Sequence, residues 1–363
     1  MNPLSEIIRR EIAQRGVLSF AHFMELALYC PKHGYYETKK DNPGRRGDFY
    51  TSVGVGEVFG GLLAFQFAGW FESLDPQSAT LNLVEAGAHD GKLAADILRW
   101  LRLNRPEFFR QVNYWLIEPS VQRQAWQKGT LKDFAPQVQW CNSLDDLKLG
   151  TQNSKSSGII FSNELLDAMP VHRFGWDAAK NSWFEWGVAV DGEKFVWTKI
   201  QTPDARPLTL DPGLLAVLPD GYIVETGPQA EHWWRQAAGI LDRGKLMAID
   251  YGLATDELIS PDRARGTLRA YYRHHASEDV LANVGEQDLT AHVNFSAVQA
   301  AGKSAGLKTE CFETQSQFLT RILRNALKTG SIGKWTPAQA RQFQTLTHPE
   351  HLGHAFRVLV QAK

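Results

Sequence analysis

The chain has 363 residues, of which 43% are hydrophobic and 22% charged, a composition typical of a folded globular protein with one elaborated α/β domain or two smaller ones. Its 39 basic and 40 acidic side chains give a net charge of -1, and no apolar run reaches the roughly 20 residues that span a bilayer, so neither a nucleic acid nor a membrane is predicted as a partner. Cys30, Cys141 and Cys311 are far apart and form no C-x-x-C pair, which excludes a disulfide framework and a cysteine zinc site and predicts a cytoplasmic protein.

The N-terminal segment, residues 1–75, is predicted to contain helices and a long loop. Apolar residues recur every three to four positions up to Gly16, a candidate C-cap, and a second helix begins after Ser19 and ends before Pro31. The segment HGYYETKKDNPGRRGDFYTS then shows no sustained periodicity. Because loops of this length in compact proteins are usually functional, we expect this one to serve a binding site.

Residues 76–169 show short apolar runs that alternate with amphipathic segments. The runs LNLVEA, NYWLI, VQW and GIIFS are interpreted as strands, and the segments between the first three contain helices. Near-continuous apolar strands that alternate with helices indicate an α/β fold with a doubly wound, mostly parallel sheet covered on both faces.

An insertion is predicted at residues 170–220, because the next buried strand, KLMAIDYG, follows much later than a helical crossover requires. Apolar alternation on both sides of an Asp-Gly turn at Gly192 predicts a β-hairpin within it. Residues 221–363 complete the sheet and include a second irregular loop, residues 252–294. Two final strands at the C-terminus are expected to form an antiparallel edge.

The turn in LVEAGAHDGKLAADIL carries the strongest local signal for a ligand. A strand ends at Glu85, and Gly87 and Gly91 follow before a helix, so the backbone can approach a ligand closely at the carboxyl end of the sheet. His89 and Asp90 depart from the dinucleotide pattern G-x-G-x-x-G, and an acidic turn would repel a pyrophosphate. S-adenosylmethionine has no phosphate and carries positive centres, so it suits this turn, with Glu85 a candidate for its α-ammonium group.

Polar residues also follow the next two strands. Glu118 ends NYWLI, where a carboxylate can accept both hydroxyl protons of an adenosine ribose in S-adenosylmethionine or in NAD. Ser143 and Leu144 come after VQW and are candidates for contact with adenine. An exposed Glu118 and an ordinary turn at Ser143 are the alternatives.

A third polar cluster follows the apolar strand GIIFS. Asn163 and Glu164 come directly after the strand, and Asp167 lies about one helical turn later. Packing explains an Asn-Glu pair at this point poorly, so a functional role is favoured over a helix N-terminal cap.

The chain resembles the MidA-like methyltransferases, bacterial relatives of the mitochondrial complex I assembly factor that methylates an arginine. The similarity covers nearly the whole chain, and its most specific segments are SNELLDAMPVHRF and DLTAHVNF. It implies a class I methyltransferase, Rossmann-like sheet of seven strands, to which the patterns above add an N-terminal helical cap and a β-rich insertion between strands 4 and 5. It also implies S-adenosylmethionine as cofactor, a protein arginine as substrate, and a loop in which Asp48, Thr51 and Ser52 fold over the cofactor. The family usually has G-P-G-x-G where this chain has G-A-H-D-G at residues 87–91, so His89 stands at the position of the central glycine.

The resemblance also suggests roles for individual side chains. A carboxylate can hold a guanidinium bidentately, so Glu164 is the first catalytic candidate and Asp167 the second, with Asn163 orienting substrate or cofactor. Asp288 and His292, which appear at helical spacing, are candidates for a substrate channel. His292 is either a general base or half of a structural hydrogen-bonding pair. No metal is predicted, because methyl transfer from a sulfonium needs alignment and exclusion of water.

Two other functions remain as alternatives. A nicotinamide-dependent oxidoreductase would use the same ribose carboxylate, although the acidic turn argues against it. A non-catalytic assembly or chaperone factor could keep the fold mainly to hold a partner, and a tryptophan-rich insertion would suit that role. The oligomeric state is left open, with a homodimer as one option.

Overall fold

The computed structural model describes residues 2–38, 51–74, 81–147, 157–200, 207–272 and 275–363. The strands in these ranges are β1 (Leu18–Ser19), β2 (Leu81–Ala86), β3 (Val112–Ile117), β4 (Val138–Cys141), β5 (Ser157–Asn163), β6 (His172–Asp177), β7 (Ser182–Asp191), β8 (Lys194–Ile200), β9 (Ile223–Thr226), β10 (Arg243–Leu253), β11 (Arg269–Tyr272), β12 (His275–Ser277), β13 (Asp288–Thr290), β14 (Val293–Asn294), β15 (Lys308–Thr314) and β16 (Phe356–Ala362). The α-helices are α1 (Pro3–Arg15), α2 (Phe20–Tyr29), α3 (Tyr35–Thr38), α4 (Ser52–Val55), α5 (Glu57–Leu74), α6 (Lys92–Asn104), α7 (Pro106–Gln111), α8 (Val121–Thr130), α9 (Pro212–Leu215), α10 (Pro228–Ile240), α11 (Thr255–Leu258), α12 (Phe295–Ser304), α13 (Gln315–Lys328), α14 (Pro337–Thr347) and α15 (Leu352–Ala355).

The chain divides into two compact units, each built from three segments. The hairpin unit consists of Met1–Asn42, Asp167–Glu231 and Gly252–Ala297, and the parallel-sheet unit of Pro43–Leu166, His232–Tyr251 and Val298–Lys363.

The parallel-sheet unit is built on strands in the order β15-β16-β10-β5-β2-β3-β4. Strands β10, β5, β2, β3 and β4 pair in parallel, whereas β16 runs antiparallel to both of its neighbours. Every residue of β2 is buried, as expected for a parallel strand covered on both faces. The predictions of an α/β fold, of a mainly parallel sheet and of an antiparallel C-terminal pair are therefore confirmed.

Helices α5 and α6 of this unit pack closely because a glycine lies at their contact. A Cβ atom added to Gly60 would lie 2.6 Å from the Cβ of Asp96 on α6. Asp96 is itself buried and accepts hydrogen bonds from Lys92 and Arg99 on its own helix. None of the described helices is both long enough and apolar enough to cross a membrane.

The hairpin unit contains two small antiparallel sheets. One has the order β1-β7-β6-β9 with β8 beside β7, and the predicted hairpin joins β7 to β8 with Gly192 at φ 56°. The predicted caps are also present: Gly16 ends α1, and the Ser19 side chain accepts from the amide of His22 at the start of α2. The other sheet, β12-β11-β13, lies in residues 252–294, which were expected to be irregular.

Candidate cofactor and active site

The turn after β2 has the backbone form that a close ligand approach requires. Gly87, His89 and Gly91 adopt positive φ values of 77°, 47° and 83°, a region that costs energy for a residue with a Cβ atom. Gly91 is the N-cap of α6, and the Asp90 side chain accepts from the amide of Lys92 at 3.0 Å. The predicted strand-turn-helix is therefore present, with a histidine in a conformation that favours glycine.

Glu85 lies at the end of β2, beneath this turn. Its carboxyl is 2% exposed and accepts a hydrogen bond from the hydroxyl of Tyr114 on β3 at 2.5 Å. Burial raises the pKa of Glu85 to about 8, although the Tyr114 bond lowers it and Asp90 raises it further. At neutral pH the side chain therefore carries its proton in this structure.

Glu118 follows β3 and is also 2% exposed, so the alternative of an exposed side chain is wrong. Its Oε1 accepts from the Ser120 amide at 2.9 Å and from Arg123 Nε at 3.0 Å. Its Oε2 accepts from Nε2 of Gln127 at 3.2 Å. Charged and amide donors thus fix the carboxylate at the carboxyl end of the sheet, the position for which a ribose contact was predicted.

The residues predicted for adenine contact follow β4. Ser143 donates a hydrogen bond to Asp146 at 2.9 Å and accepts one from the Asp146 amide at 3.3 Å, so it forms a local turn. Leu144 is 4% exposed. The apolar side chain of Leu144 is therefore the better candidate of the two for packing against a base.

Asn163 and Glu164, at the end of β5, form a constrained polar pair. Glu164 has φ 54°, a left-handed conformation that costs about 1–3 kcal/mol for a residue with a side chain. Its Oε1 accepts from Asn163 Nδ2 at 2.9 Å and from the Ser52 amide at 3.3 Å. Asn163 Oδ1 is buried and has no hydrogen-bond partner among the residues that the structure describes. Strain and an unpartnered acceptor are both more typical of a functional site than of a helix cap.

Asp250, which sequence reasoning did not select, holds this turn from the neighbouring strand β10. It is fully buried, and its Oδ2 accepts from the amides of Leu165 and Leu166 at 3.1 and 2.8 Å. A Cβ atom added to Gly87 would lie 2.9 Å from Cδ1 of Leu165. The turns after β2 and β5 are therefore packed against each other.

The segment expected to fold over the cofactor is described in part, because Asp48 lies outside the described residues. The Thr51 side chain caps α4 and accepts from the Gly54 amide at 2.9 Å. Ser52 is fully buried, and its hydroxyl donates to Oε1 of Gln315 at 3.0 Å while its amide faces Glu164. Sequence reasoning missed Gln315, because it is separated from Ser52 by most of the chain.

The remaining predicted site residues belong to the hairpin unit. Asp167 is 5% exposed, and its carbonyl oxygen accepts from the Ala291 amide at 3.0 Å. Asp288 is fully buried and accepts from the Tyr36 hydroxyl at 2.8 Å. Burial raises the pKa of Tyr36 well above its ordinary value, and the nearby charges of Asp288 and Asp167 add to the effect.

The helical spacing expected for Asp288 and His292 is wrong. Asp288 begins strand β13, which pairs with β11, and His292 lies just after it. Burial lowers the pKa of His292 to about 4, with further contributions from Arg263 and Arg269. Among the described residues its Nδ1 is buried without a hydrogen-bond partner, and its amide donates to Thr267 Oγ1 at 3.0 Å. With this pKa the ring is neutral at pH 7.

The parallel-sheet unit fits the S-adenosylmethionine that the resemblance implies. Its β2 turn presents backbone at the sheet edge, Glu118 offers a buried carboxylate, and Asn163 Oδ1 receives no hydrogen bond from the described part of the chain. Within the described parts of the chain, no three or more His, Cys, Asp or Glu side chains are grouped as metal ligands.

Comparison with known proteins agrees with this geometry. Residues 62–313 match the model of a family described as "Putative S-adenosyl-L-methionine-dependent methyltransferase". A COG1565 superfamily member from Burkholderia thailandensis, bound to S-adenosyl-homocysteine, superposes with a TM-score of 0.84 at 31% identity, over 99% of this chain and 92% of that one. A native structure of a COG1565 superfamily protein from the same organism superposes with a TM-score of 0.81 at 30% identity, over 99% of this chain and 91% of that one.

Curated relatives carry the name protein arginine methyltransferase NDUFAF7, mitochondrial. The mouse protein is 30% identical over 85% of this chain and 72% of its own length, and the zebrafish protein 28% identical over 96% and 84%. Because these relatives are mitochondrial, the prediction of a cytoplasmic location is contradicted. The family match and the superposition together show the cofactor to be S-adenosylmethionine, and the chain belongs to this family of S-adenosylmethionine-dependent methyltransferases.

Proposed function

We propose that this methyltransferase transfers a methyl group to an arginine side chain of a protein. The observation that carries the proposal is the Asn163-Glu164 pair, a strained and hydrogen-bonded carboxylate at the carboxyl end of the sheet. The names of the mouse and zebrafish relatives support arginine as the acceptor. S-adenosylmethionine, when bound, would supply an electrophilic methyl group and leave as S-adenosylhomocysteine, and the guanidinium nitrogen that gains the methyl group would release one proton to solvent.

Glu164 is proposed as the residue that holds the guanidinium. A carboxylate can accept two parallel N–H bonds from arginine, which fixes the orientation of the attacking nitrogen. The bonds from Asn163 and from the Ser52 amide keep the Glu164 side chain in place before the substrate arrives. Asp167 is the second candidate for this role, and Asp288 and His292 are proposed to contact the substrate protein.

Cofactor contacts are proposed for the residues singled out from the sequence. The ribose is assigned to Glu118 and the adenine to Ser143 and Leu144, with the remaining contacts made by Asp48, Thr51, Ser52, Glu85, Gly87, Gly91 and Asn163. Since Glu85 carries its proton at neutral pH, direct contact with an ammonium group would require that proton to be released.

Glu164→Gln tests the role of the carboxylate. Glutamine keeps an oxygen that accepts from Asn163 and Ser52 but removes the charge, so S-adenosylhomocysteine should bind within about twofold of the wild type while transfer falls by about 100-fold or more. The assay is incorporation of tritiated methyl groups into methylarginine, with a lysate of cells that lack this protein as acceptor.

The exposed Glu107→Gln variant is the matched control and should transfer at the wild-type rate, because its side chain is 72% exposed. Unchanged turnover in Glu164→Gln would remove Glu164 from the mechanism. Label that appears only in residues other than arginine would overturn the proposed acceptor, and wild-type protein that binds cofactor but labels nothing would favour a non-catalytic assembly factor.

A further inference from the structure

One buried amide connects two parts of the cofactor site that come from different strands. Gln127 on α8 is fully buried, and its Nε2 donates to the carbonyl oxygen of His89 at 3.0 Å and to Oε2 of Glu118 at 3.2 Å. Its Oε1 accepts from Nε1 of Trp140 on β4 at 2.9 Å. Both donors and the acceptor of the amide are therefore used.

The hydrogen bond to His89 acts on a residue whose backbone conformation is energetically unfavourable. His89 has a positive φ of 47°, a backbone conformation that favours glycine, and such a conformation persists only when surrounding contacts hold it. The Gln127 amide holds the carbonyl of His89, and the Cα of Gln127 lies 3.5 Å from the position of a Cβ added to Gly91. The helix therefore supports the turn both by a hydrogen bond and by packing.

The bond to Glu118 acts on the carboxylate assigned to the ribose. A carboxylate that is held in one orientation loses less freedom when it accepts the two hydroxyl protons of a ribose. Because a single NH₂ group bonds both to Glu118 and to the turn, a shift of one partner changes the geometry of the other.

We propose that Gln127 is a positioning residue for the cofactor: it fixes the β2 turn and the ribose carboxylate relative to each other and holds the strained backbone of His89 in place. This inference rests on the proposed ribose contact of Glu118, but it does not depend on which acceptor receives the methyl group. Its effect should therefore appear in cofactor binding and in KM for S-adenosylmethionine, with kcat changed much less.

The test compares Gln127→Met with Gln124→Met on the same helix. Methionine fills a similar volume without donating. Gln124 donates to the backbone oxygen of Glu118 and to the side-chain Oδ1 of Asn142, and not to the Glu118 carboxylate. Titration calorimetry with S-adenosylhomocysteine should show binding weakened by about 10- to 100-fold in Gln127→Met and by less than about threefold in Gln124→Met. Amide hydrogen exchange of residues 87–91 in the cofactor-free protein should be faster only in Gln127→Met.

Gln127→Glu provides a second variant, because it keeps the acceptor for Trp140 but replaces the donor with a charge facing Glu118. It should bind S-adenosylhomocysteine at least as weakly as Gln127→Met. The proposal is overturned if Gln127→Met, folded by its urea unfolding curve, binds within about threefold of the wild type, or if both methionine variants weaken binding equally. If the wild-type protein binds S-adenosylhomocysteine normally but forms no methylarginine, that result counts against the arginine proposal alone.

Discussion

The protonated state of Glu85 predicts an unusual dependence of stability on pH. Burial raises the pKa of this carboxyl from 4.5 to about 8, so the folded protein keeps a proton that the unfolded chain releases in this range. The contribution of Glu85 to the free energy of unfolding is therefore fully present below about pH 4.5 and is lost as pH rises towards 8. Glu85→Gln removes the titration but retains an oxygen that can accept from Tyr114.

The size of the effect follows from the two pKa values. A difference between 4.5 and about 8 corresponds to at most about 5 kcal/mol of unfolding free energy, or about 1.4 kcal/mol per pH unit within the window. We expect Glu85→Gln to match the wild type near pH 5 and to become progressively more stable than it up to pH 8. Urea unfolding followed by tryptophan fluorescence, at intervals from pH 5 to 8.5, measures this difference.

Glu107→Gln is the matched control, because that carboxyl is 72% exposed and its ion pair with Arg110 lies at the surface, where such pairs contribute little to stability. Its stability curve should run parallel to the wild-type curve over the whole range. A constant difference between Glu85→Gln and the wild type from pH 5 to 8 would refute the buried, protonated state of Glu85.

Three further changes test the packing and the charges around the site. Gly60→Ala forces a methyl group against Asp96 and should lower the free energy of unfolding by about 1–3 kcal/mol. In the control Gly69→Ala, on the same helix, the added methyl group meets nothing within 4 Å, so this change should raise the free energy of unfolding by about 0.5–1 kcal/mol. Equal effects of the two variants in urea unfolding would contradict the close helix contact. Asp250→Asn should cost about 2 kcal/mol by the same measurement, because amide donors lose a charged acceptor, and a neutral result would mean that the turn after β5 is held by other contacts. Burial lowers the pKa of His292 from 6.5 to about 4, so its contribution to stability is present above pH 6.5 and is lost as pH falls towards 4. In His292→Gln the free energy of unfolding should therefore fall less steeply between pH 6.5 and 4 than in the wild type. An unchanged slope in this range would argue against a buried neutral ring.

Local patterns identified the elements of the site because short-range chemistry determines them. A strand that ends in an acidic residue and two glycines forms the β2 turn, and Ser19 caps the second helix as its side chain predicts. The Asp-Gly turn at Gly192 produces the hairpin because Gly192 adopts a positive φ at little cost. These features depend on neighbours within a few residues, which a single sequence displays.

Contacts between distant segments could not be deduced in this way. Gln127 and Gln315 are buried by partners from other parts of the chain, and no local pattern distinguishes them from surface residues. Asp250 lies in the predicted buried strand KLMAIDYG, but the amides that it accepts from belong to a distant segment. The four-residue interval from Asp288 to His292 suggested a helix, but pairing of β13 with β11 determines the local structure instead. Tertiary pairing overrides local spacing where a segment completes a small sheet.

The most direct test of the proposed activity is quantitative mass spectrometry of methylated peptides in cells that contain this protein, lack it, or carry only Glu164→Gln. We predict at least one peptide whose methylarginine is present with the wild-type protein and lost in the other two strains, while the amount of its parent protein is unchanged. An identical set of methylarginine peptides in all three strains would contradict arginine methylation as the function of this protein.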